Sequence, residues 1–153
     1  MNTKDSNLFY MQEALRQANI AKDLDEVPIG AVVVKNSKII GRGFNQNILM
    51  HSVAAHAEIN AINDAGKFLK NYRLIDCDIY VTLEPCHMCA KAIVDARIKN
   101  LYFATPEPKS GAVISIDNLL DKNFLNHHVG YQYGLMQQES SQLLKNFFSA
   151  KRS

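Results

Sequence analysis

Asp78-Ile79-Tyr80-Val81-Thr82-Leu83-Glu84-Pro85-Cys86-His87-Met88-Cys89 is the stretch of sequence that decides the fold. Its first half, 78–83, is a compact run rich in β-branched and aromatic residues, which predicts a strand. Glu84-Pro85 ends this strand, and Pro85 is well placed as the first residue of a new helix, where its missing N–H costs nothing. A strand that passes directly into a helix is typical of α/β folds, which place ligands at such junctions.

The rest of the chain alternates between helical and strand patterns, with no clear pattern between residues 112 and 125. Helices are predicted over residues 6–23, 56–66, 85–96 and 136–152. Strands are predicted over residues 31–34, 38–45, 78–83, 100–104 and 128–131. Ser6 and Ser52 are candidate N-caps, and the turn at Asn36-Ser37 predicts a β-hairpin whose glycines allow a bulge. Together these elements predict one domain over residues 1–153, a three-layer α/β/α sandwich with a mixed central sheet.

The composition favours a globular protein over a membrane-spanning or disulfide-rich one. The 153 residues are 47% hydrophobic and 21% charged, which is typical of a globular protein with a real core. No apolar run approaches the roughly 20 residues that span a bilayer, and the polar start argues against a signal peptide, so we expect a cytoplasmic protein. A net charge of +2 permits nucleic-acid binding without arguing for it. The three cysteines make a disulfide framework improbable and favour a metal site.

Two short motifs carry the chemistry. Cys86 and Cys89 are three residues apart, which places two thiolates on one side of the first turn of a helix, and His56 adds a nitrogen ligand. Three such ligands suit a tetrahedral Zn²⁺ whose fourth corner stays open for water. Glu58 is close enough in sequence to His56 to handle a proton of that water. Because residues i and i+2 do not share a helix face, we expect His56 and Glu58 to lie at the start of their helix.

The alternative is a closed, purely structural zinc site, which needs a fourth ligand. Cys77, His51 and His87 are the candidates. His87 points in a different direction from the two thiols, and Cys77 is better explained as a small buried apolar residue. We therefore expect the open site, which is typical of a hydrolase.

The pattern H-x-E followed by P-C-x-x-C is the signature of zinc deaminases, and the chain resembles the bacterial tRNA-specific adenosine deaminases of the cytidine and deoxycytidylate deaminase family. The similarity covers most of the chain. The matching segments are 26–31, 41–45, 71–76, 81–86, 109–112 and the closing helix around Phe147-Phe148.

The resemblance implies a cytidine-deaminase-like fold, a homodimer with one zinc per subunit, and hydrolytic deamination of the wobble adenosine in a tRNA anticodon loop to inosine. A zinc-activated water is the nucleophile, and the site residues carry over by position. His56, Cys86 and Cys89 correspond to the zinc ligands and Glu58 to the proton shuttle. The implied substrate-binding residues are Pro28, Asn45, Pro85, Glu107 and Lys109.

Departures from the family pattern are found at Ser52-Val53-Ala54, at Lys91 and at Glu107, which lies between two prolines. They concern the RNA contacts and not the zinc chemistry. Two other functions stay open: a zinc deaminase of a free base or nucleoside of the guanine or cytosine type, and a catalytically silent zinc-stabilised RNA-binding module. The extended match at 71–76 and 109–112 argues against the first. Glu58 discriminates the second, because Glu58→Ala in an active enzyme should keep the fold and zinc yet abolish deamination. Phe147-Phe148 is predicted to pack in the core or in a dimer interface.

Overall fold

The computed structural model describes residues 2–152 and contains a five-stranded sheet with four α-helices. The helices are α1 (Thr3–Asp23), α2 (Ala57–Leu69), α3 (His87–Asp95) and α4 (Gln137–Arg152). The strands are β1 (Gly30–Lys35), β2 (Lys38–Phe44), β3 (Asp78–Leu83), β4 (Asn100–Thr105) and β5 (Gly130–Tyr133). A single turn of 3₁₀-helix, Leu119–Asp121, lies in the region where the sequence has no clear pattern.

The sheet is mixed, as predicted. Its order is β2-β1-β3-β4-β5, in which β1 is antiparallel to β2 and β3, whereas β3, β4 and β5 are parallel. Alternate side chains of the buried strands face opposite layers, as the two-residue period of a strand requires. Val32 and Val34 pack in the cluster that includes residues of α1, and Ala31 and Val33 pack in the cluster that includes residues of α2 and α3. The predicted α/β/α sandwich is confirmed.

The β-hairpin and its bulge are also confirmed. Asn36 and Ser37 form the turn with φ of 50° and 61°, and the register of β1 and β2 shifts between Val33 and Val34. Helix α2 lies directly on β2. Their approach at Gly43 is so close that an added Cβ would be 2.4 Å from the carbonyl oxygen of Ala57. This close approach fixes the first turn of α2 against the sheet.

Two predicted helix starts, at Ser6 and Pro85, and one predicted N-cap, Ser52, are wrong. Helix α1 begins at Thr3, and its N-cap is Asn2, whose Oδ1 accepts a hydrogen bond from Asp5 N at 2.9 Å, so Ser6 is not the cap. Helix α2 begins five residues after Ser52, with His56 at the N-cap position. Helix α3 begins at His87 with Cys86 as its N-cap, so Pro85 precedes the helix and is not its first residue.

The apolar face of α4 is not part of the core. Leu143, Leu144 and Phe147 are half-buried, Phe148 is 43% exposed, and Ser140 is the one buried residue of this helix. The hydroxyl of Ser140 donates a hydrogen bond to the carbonyl oxygen of Thr82 in β3, which ties the start of α4 to the sheet. Across residues 2–152, no helix is long and apolar enough to cross a membrane.

Candidate metal centre and active site

The fold brings together the three predicted metal ligands. His56 Nδ1 lies 3.7 Å from Cys86 Sγ and 3.3 Å from Cys89 Sγ, and all three ligand atoms are within 4.8 Å of one another. Tetrahedral zinc with its usual bond lengths to nitrogen and sulfur separates these two atom types by about 3.5 Å. These three side chains, called the metal group below, can therefore hold a metal ion of this kind with little rearrangement.

Both halves of the group lie at helix N-termini. His56 and Cys86 are the N-cap residues of α2 and α3, in extended conformations with φ of −75° each, and neither side chain makes a capping hydrogen bond. Cys89 lies in the first turn of α3, and Glu58 lies in the first turn of α2, which confirms their predicted place at the start of a helix. The positive ends of both helix dipoles favour anionic thiolates here.

The ionisation of the thiols favours a bound cation. A hydrogen bond with Cys89 and another with His56 lower the pKa of the Cys86 thiol to about 3, although burial opposes this change. The hydrogen bond with Cys86, together with burial, raises the pKa of the Cys89 thiol. The hydrogen bond to Cys86 likewise raises the pKa of His56. A second thiolate beside the first is thus unfavourable unless a positive ion lies between them, and a metal supplies that charge.

Glu58 has the properties of a proton carrier. Its side chain is buried at 4% exposure, and desolvation raises the pKa of its carboxyl to about 7. Its charge acts on both Cys89 and His56, which places the carboxyl beside the metal group. A carboxyl with a pKa near neutrality can accept and return a proton with equal ease.

A cavity of about 530 Å³ opens at this group, and His56 lines it. Its walls come from the segment before β1, the loop after β2, the ends of β3 and β4, and helix α4. The other lining residues are Val27, Ile29, Asn45, Asn47, Leu83, Thr105, Pro106, Glu107, Ser141, Leu144, Lys145, Phe148 and Arg152.

The five predicted substrate-binding residues are not all on this wall. Asn45 and Glu107 line the cavity. Asn45 Oδ1 accepts a hydrogen bond from Ala57 N at 2.8 Å, and no partner for its Nδ2 is found among residues 2–152. Pro28 and Pro85 are buried and are not part of the wall, and Lys109 is exposed outside it.

Two buried glutamates that sequence reasoning missed hold the loops around the cavity. Glu26 accepts hydrogen bonds from the backbone N–H groups of Ile48 and Leu49. Glu84 accepts hydrogen bonds from the backbone of residues 107–115. No sequence signal separates these residues from ordinary surface glutamates, because their partners are more than 20 residues away along the chain. Lys145 was missed as well, since the faces of α4 could not be assigned without the fold.

The candidates for a fourth protein ligand lie outside the group. Among residues 2–152, the group with metal-ligand spacing contains His56, Cys86 and Cys89 and no other residue. Cys77 is buried in the core cluster beneath α2 and α3, and His51 is exposed. His87 Nε2 lies 2.9 Å from Asp117 Oδ2 on the surface. These positions favour the open, three-ligand arrangement.

The chain is similar to known deaminases in sequence and in structure. The family model for MafB19-like deaminases matches residues 5–152. A tRNA-specific adenosine deaminase of Buchnera aphidicola subsp. Baizongia pistaciae is 43% identical over 150 residues, covering 97% of this chain and 91% of that protein. A solved structure described as a tRNA:A34 deaminase that performs A-to-I editing at the wobble position has a TM-score of 0.86 and 43% identity, covering 89% of this chain and 99% of that one.

A guanine deaminase of Bacillus subtilis is also similar. Its structure has a TM-score of 0.64 and 31% identity, covering 99% of this chain and 94% of that one. The fold is thus found among proteins whose names indicate action on different purines.

Proposed function

The chain belongs to the MafB19-like deaminase family and, within it, to the tRNA-specific adenosine deaminases, and on this premise we propose that it converts the wobble adenosine of a tRNA anticodon loop to inosine. The observation that carries the proposal is the juxtaposition of a three-ligand metal group and the buried Glu58 beside a cavity that His56 lines. This arrangement supports hydrolysis at a base that enters the cavity.

The metal that the group fits best is zinc, one ion per chain. His56, Cys86 and Cys89 would hold it, because an imidazole and two thiolates are typical zinc ligands and their spacing suits a tetrahedron. When bound, zinc supplies Lewis-acid activation of a water molecule, whose pKa can then fall to about 7. The thiolates of Cys86 and Cys89 would balance its charge.

The protein residues would bind the base and move protons. Glu58 takes a proton from the attacking water and delivers one to the departing amino nitrogen, so that adenosine and water give inosine and ammonia. The Nδ2 group of Asn45 is free to donate a hydrogen bond to the nucleoside, while Oδ1 stays engaged with Ala57 N. Asn45 would thereby orient the base at a position fixed by the first turn of α2.

The cavity wall supports an RNA substrate. Helix α4 contributes Lys145 and Arg152, whose positive charges suit phosphates, and the exposed ring of Phe148, which suits stacking on an unpaired base. The catalytic carboxyl is buried, so a base in a stacked helix could not reach it, and a nucleotide flipped out of a loop could.

Two further properties belong to the proposal. The loop after β2 exposes Ile48, Leu49, Met50 and Val53 by 48–88%, and a second copy in a homodimer would cover this group of exposed apolar residues on one loop. The cysteine ligands need a reducing compartment, which favours the cytoplasm.

The second candidate is a deaminase of a free base, which the likeness to the Bacillus subtilis guanine deaminase favours. Both functions share the metal group and Glu58, so the substrate must decide between them. The basic and aromatic side chains of α4 favour RNA, since a free base would make little use of them.

The deciding experiment incubates the zinc-loaded protein with unmodified tRNA and, separately, with free guanine, cytosine and adenosine. We expect inosine at the wobble position and no turnover of the free compounds. Glu58→Ala is the matched control, which should retain zinc and form no inosine. Turnover of guanine without inosine formation would establish the second candidate, and a wild-type protein inert on every substrate would indicate a silent RNA-binding module.

A further inference from the structure

Glu84 is a buried carboxylate that the proposed chemistry does not use. It follows β3, is 3% exposed, and takes part in none of the ion pairs found among residues 2–152. Its Oε1 accepts hydrogen bonds from Glu107 N at 2.9 Å and from the hydroxyl of Ser115. Its Oε2 accepts from Val113 N, Ile114 N and Ser115 N at 3.0, 2.8 and 3.1 Å.

The segment 107–115 is therefore wrapped around an anion. Three successive N–H groups converge on one oxygen atom, which is the geometry of a backbone anion nest. A Cβ added at Gly111 would lie 2.2 Å from Glu84 Cδ, so a larger residue could not approach as closely. A buried charge is expensive without such partners, and here five donors satisfy it.

The same segment forms part of the cavity rim. Glu107, whose N–H binds Glu84, lines the cavity. Within the same segment, Ala112 N donates a hydrogen bond to the carbonyl oxygen of Pro85 at 2.9 Å. Pro85 directly precedes the metal-group residue Cys86. The rim is thus attached to the two residues between β3 and the metal group.

We propose that Glu84 is a positioning residue, whose carboxylate holds segment 107–115 at a fixed distance from the metal group and so shapes the rim that receives the RNA. The kinetic part of this inference rests on the proposed function. The anchoring part rests on the hydrogen bonds alone and can be measured without any substrate.

Hydrogen exchange of the zinc-loaded protein tests the anchoring. In Glu84→Gln an NH₂ group replaces one of the two oxygen atoms and cannot accept from the backbone N–H groups that face it. The remaining oxygen no longer carries a negative charge, so all the backbone bonds of the anchor are lost or weakened. We expect exchange at the amides of 107 and 113–115 to rise about 10-fold or more, with less than about a 2-fold change in β1 and β3. Glu13→Gln is the matched control, because Glu13 pairs with Arg16 within α1. Helix α1 packs in a different core cluster from Ala112 and Val113 of the segment.

Kinetics on an RNA hairpin that carries the wobble adenosine test the consequence. We expect Glu84→Gln to raise KM about 10-fold while kcat stays within about 3-fold and one zinc per chain is retained. A merely structural role would lower the amount of folded protein and leave KM unchanged. Glu84→Asp keeps the charge on a shorter side chain and should give intermediate exchange and KM.

Unchanged exchange at 107 and 113–115 in Glu84→Gln would overturn the inference. So would loss of zinc with a fall in kcat at constant KM, because Glu84 would then act on the metal group and not on the rim. If Glu84→Gln does not fold, Ser115→Ala and Glu84→Asp decide by the same measurements, since each removes or weakens part of the anchor. Absence of inosine with the wild-type protein overturns the proposed function, and it is distinct from the exchange result.

Discussion

The metal group and the rim of the cavity are held in different ways. His56, Cys86 and Cys89 stand at the first turns of two helices that pack on the sheet, so elements next to them in sequence fix their positions. The rim consists of two loops and α4, and the loops are held by single buried carboxylates at Glu26 and Glu84. The metal group is part of the helices that pack on the sheet, whereas the loops of the rim are joined to the rest of the fold by the hydrogen bonds of two side chains.

This difference separates two kinds of functional effect. Changes at the metal group should act on the chemical step, because the proposed function places the reacting atoms there. Changes at the rim should act on the binding of RNA, because in the proposed function the rim would contact parts of the substrate that do not react. Substitutions in the two regions should therefore separate the two effects.

Cys89→Ser should abolish both metal binding and activity. A serine hydroxyl is a much poorer zinc ligand than a thiolate, and Cys89 is fully buried, so no other side chain can replace it. We expect zinc to fall well below one ion per chain and inosine formation to fall by about 10³-fold or more. Elemental analysis of the purified protein and an inosine assay measure the two effects.

Cys77→Ser is the matched control for that change. Cys77 is equally buried but lies outside the metal group, so its replacement should keep zinc and affect only stability. Loss of stoichiometric zinc from Cys77→Ser would show that the site is closed by a fourth ligand, and the open site would then be wrong.

Asn45 lies where the metal group and the rim meet, and two substitutions separate its roles. Asn45→Ala removes both the acceptor for Ala57 N and the free amide donor, so it should cost about 1 kcal/mol of unfolding free energy and about 100-fold in kcat/KM. Asn45→Asp keeps the acceptor and should retain stability while it loses activity. Denaturant unfolding and steady-state kinetics measure the two effects, and full activity of Asn45→Asp would contradict a donor role.

The metal group was predictable from sequence because its signal is local. Spacing alone put Cys86 and Cys89 on one helical turn and required His56 and Glu58 to lie at the start of another. The same site explains the wrong N-cap at Ser52 and the wrong helix start at Pro85. N-cap rules look for a side chain that bonds to the backbone, and here the cap positions are occupied by metal-group residues that make no such bond.

The rim was less predictable because it depends on contacts that are distant in sequence. The bonds of Glu26 and Glu84 join residues 22 to 31 positions apart, and nothing nearby distinguishes these two glutamates from exposed ones. The sequence predicts the apolar face of α4 but not that this face lines the cavity. Phe148 lies in the cavity wall and is exposed. Amphipathic periodicity alone shows that a face is apolar and leaves open what covers it.

Lys145→Ala should have a moderate effect confined to binding. Lys145 lines the cavity and forms no ion pair among residues 2–152, so its charge is available to a phosphate. We expect KM for tRNA to rise about 3- to 10-fold with kcat unchanged, and the dependence of KM on salt to weaken. Lys22→Ala is the matched control, since Lys22 is exposed on α1 and outside the cavity wall. A fall in kcat alone would contradict the division between rim and metal group.

Protonation of Glu84 at acid pH should weaken the attachment of the rim. At neutral pH Glu84 is ionised, and the attachment should be intact. Burial by itself raises the pKa of Glu84, but hydrogen bonds from Ile114, Ser115 and Glu107 outweigh it and hold the pKa below its usual value. A carboxyl with a lowered pKa in the folded state stabilises that state fully above its unfolded pKa of about 4.3, and this contribution is lost as the pH falls through the lower folded value. Glu84→Gln should therefore melt a few degrees below wild type from pH 7 to 5, and the difference should shrink below about pH 4. Thermal unfolding across this range measures it; a difference that grows on acidification would mean that Glu84 is protonated in the folded protein, and the anion nest around it would then have no physical basis.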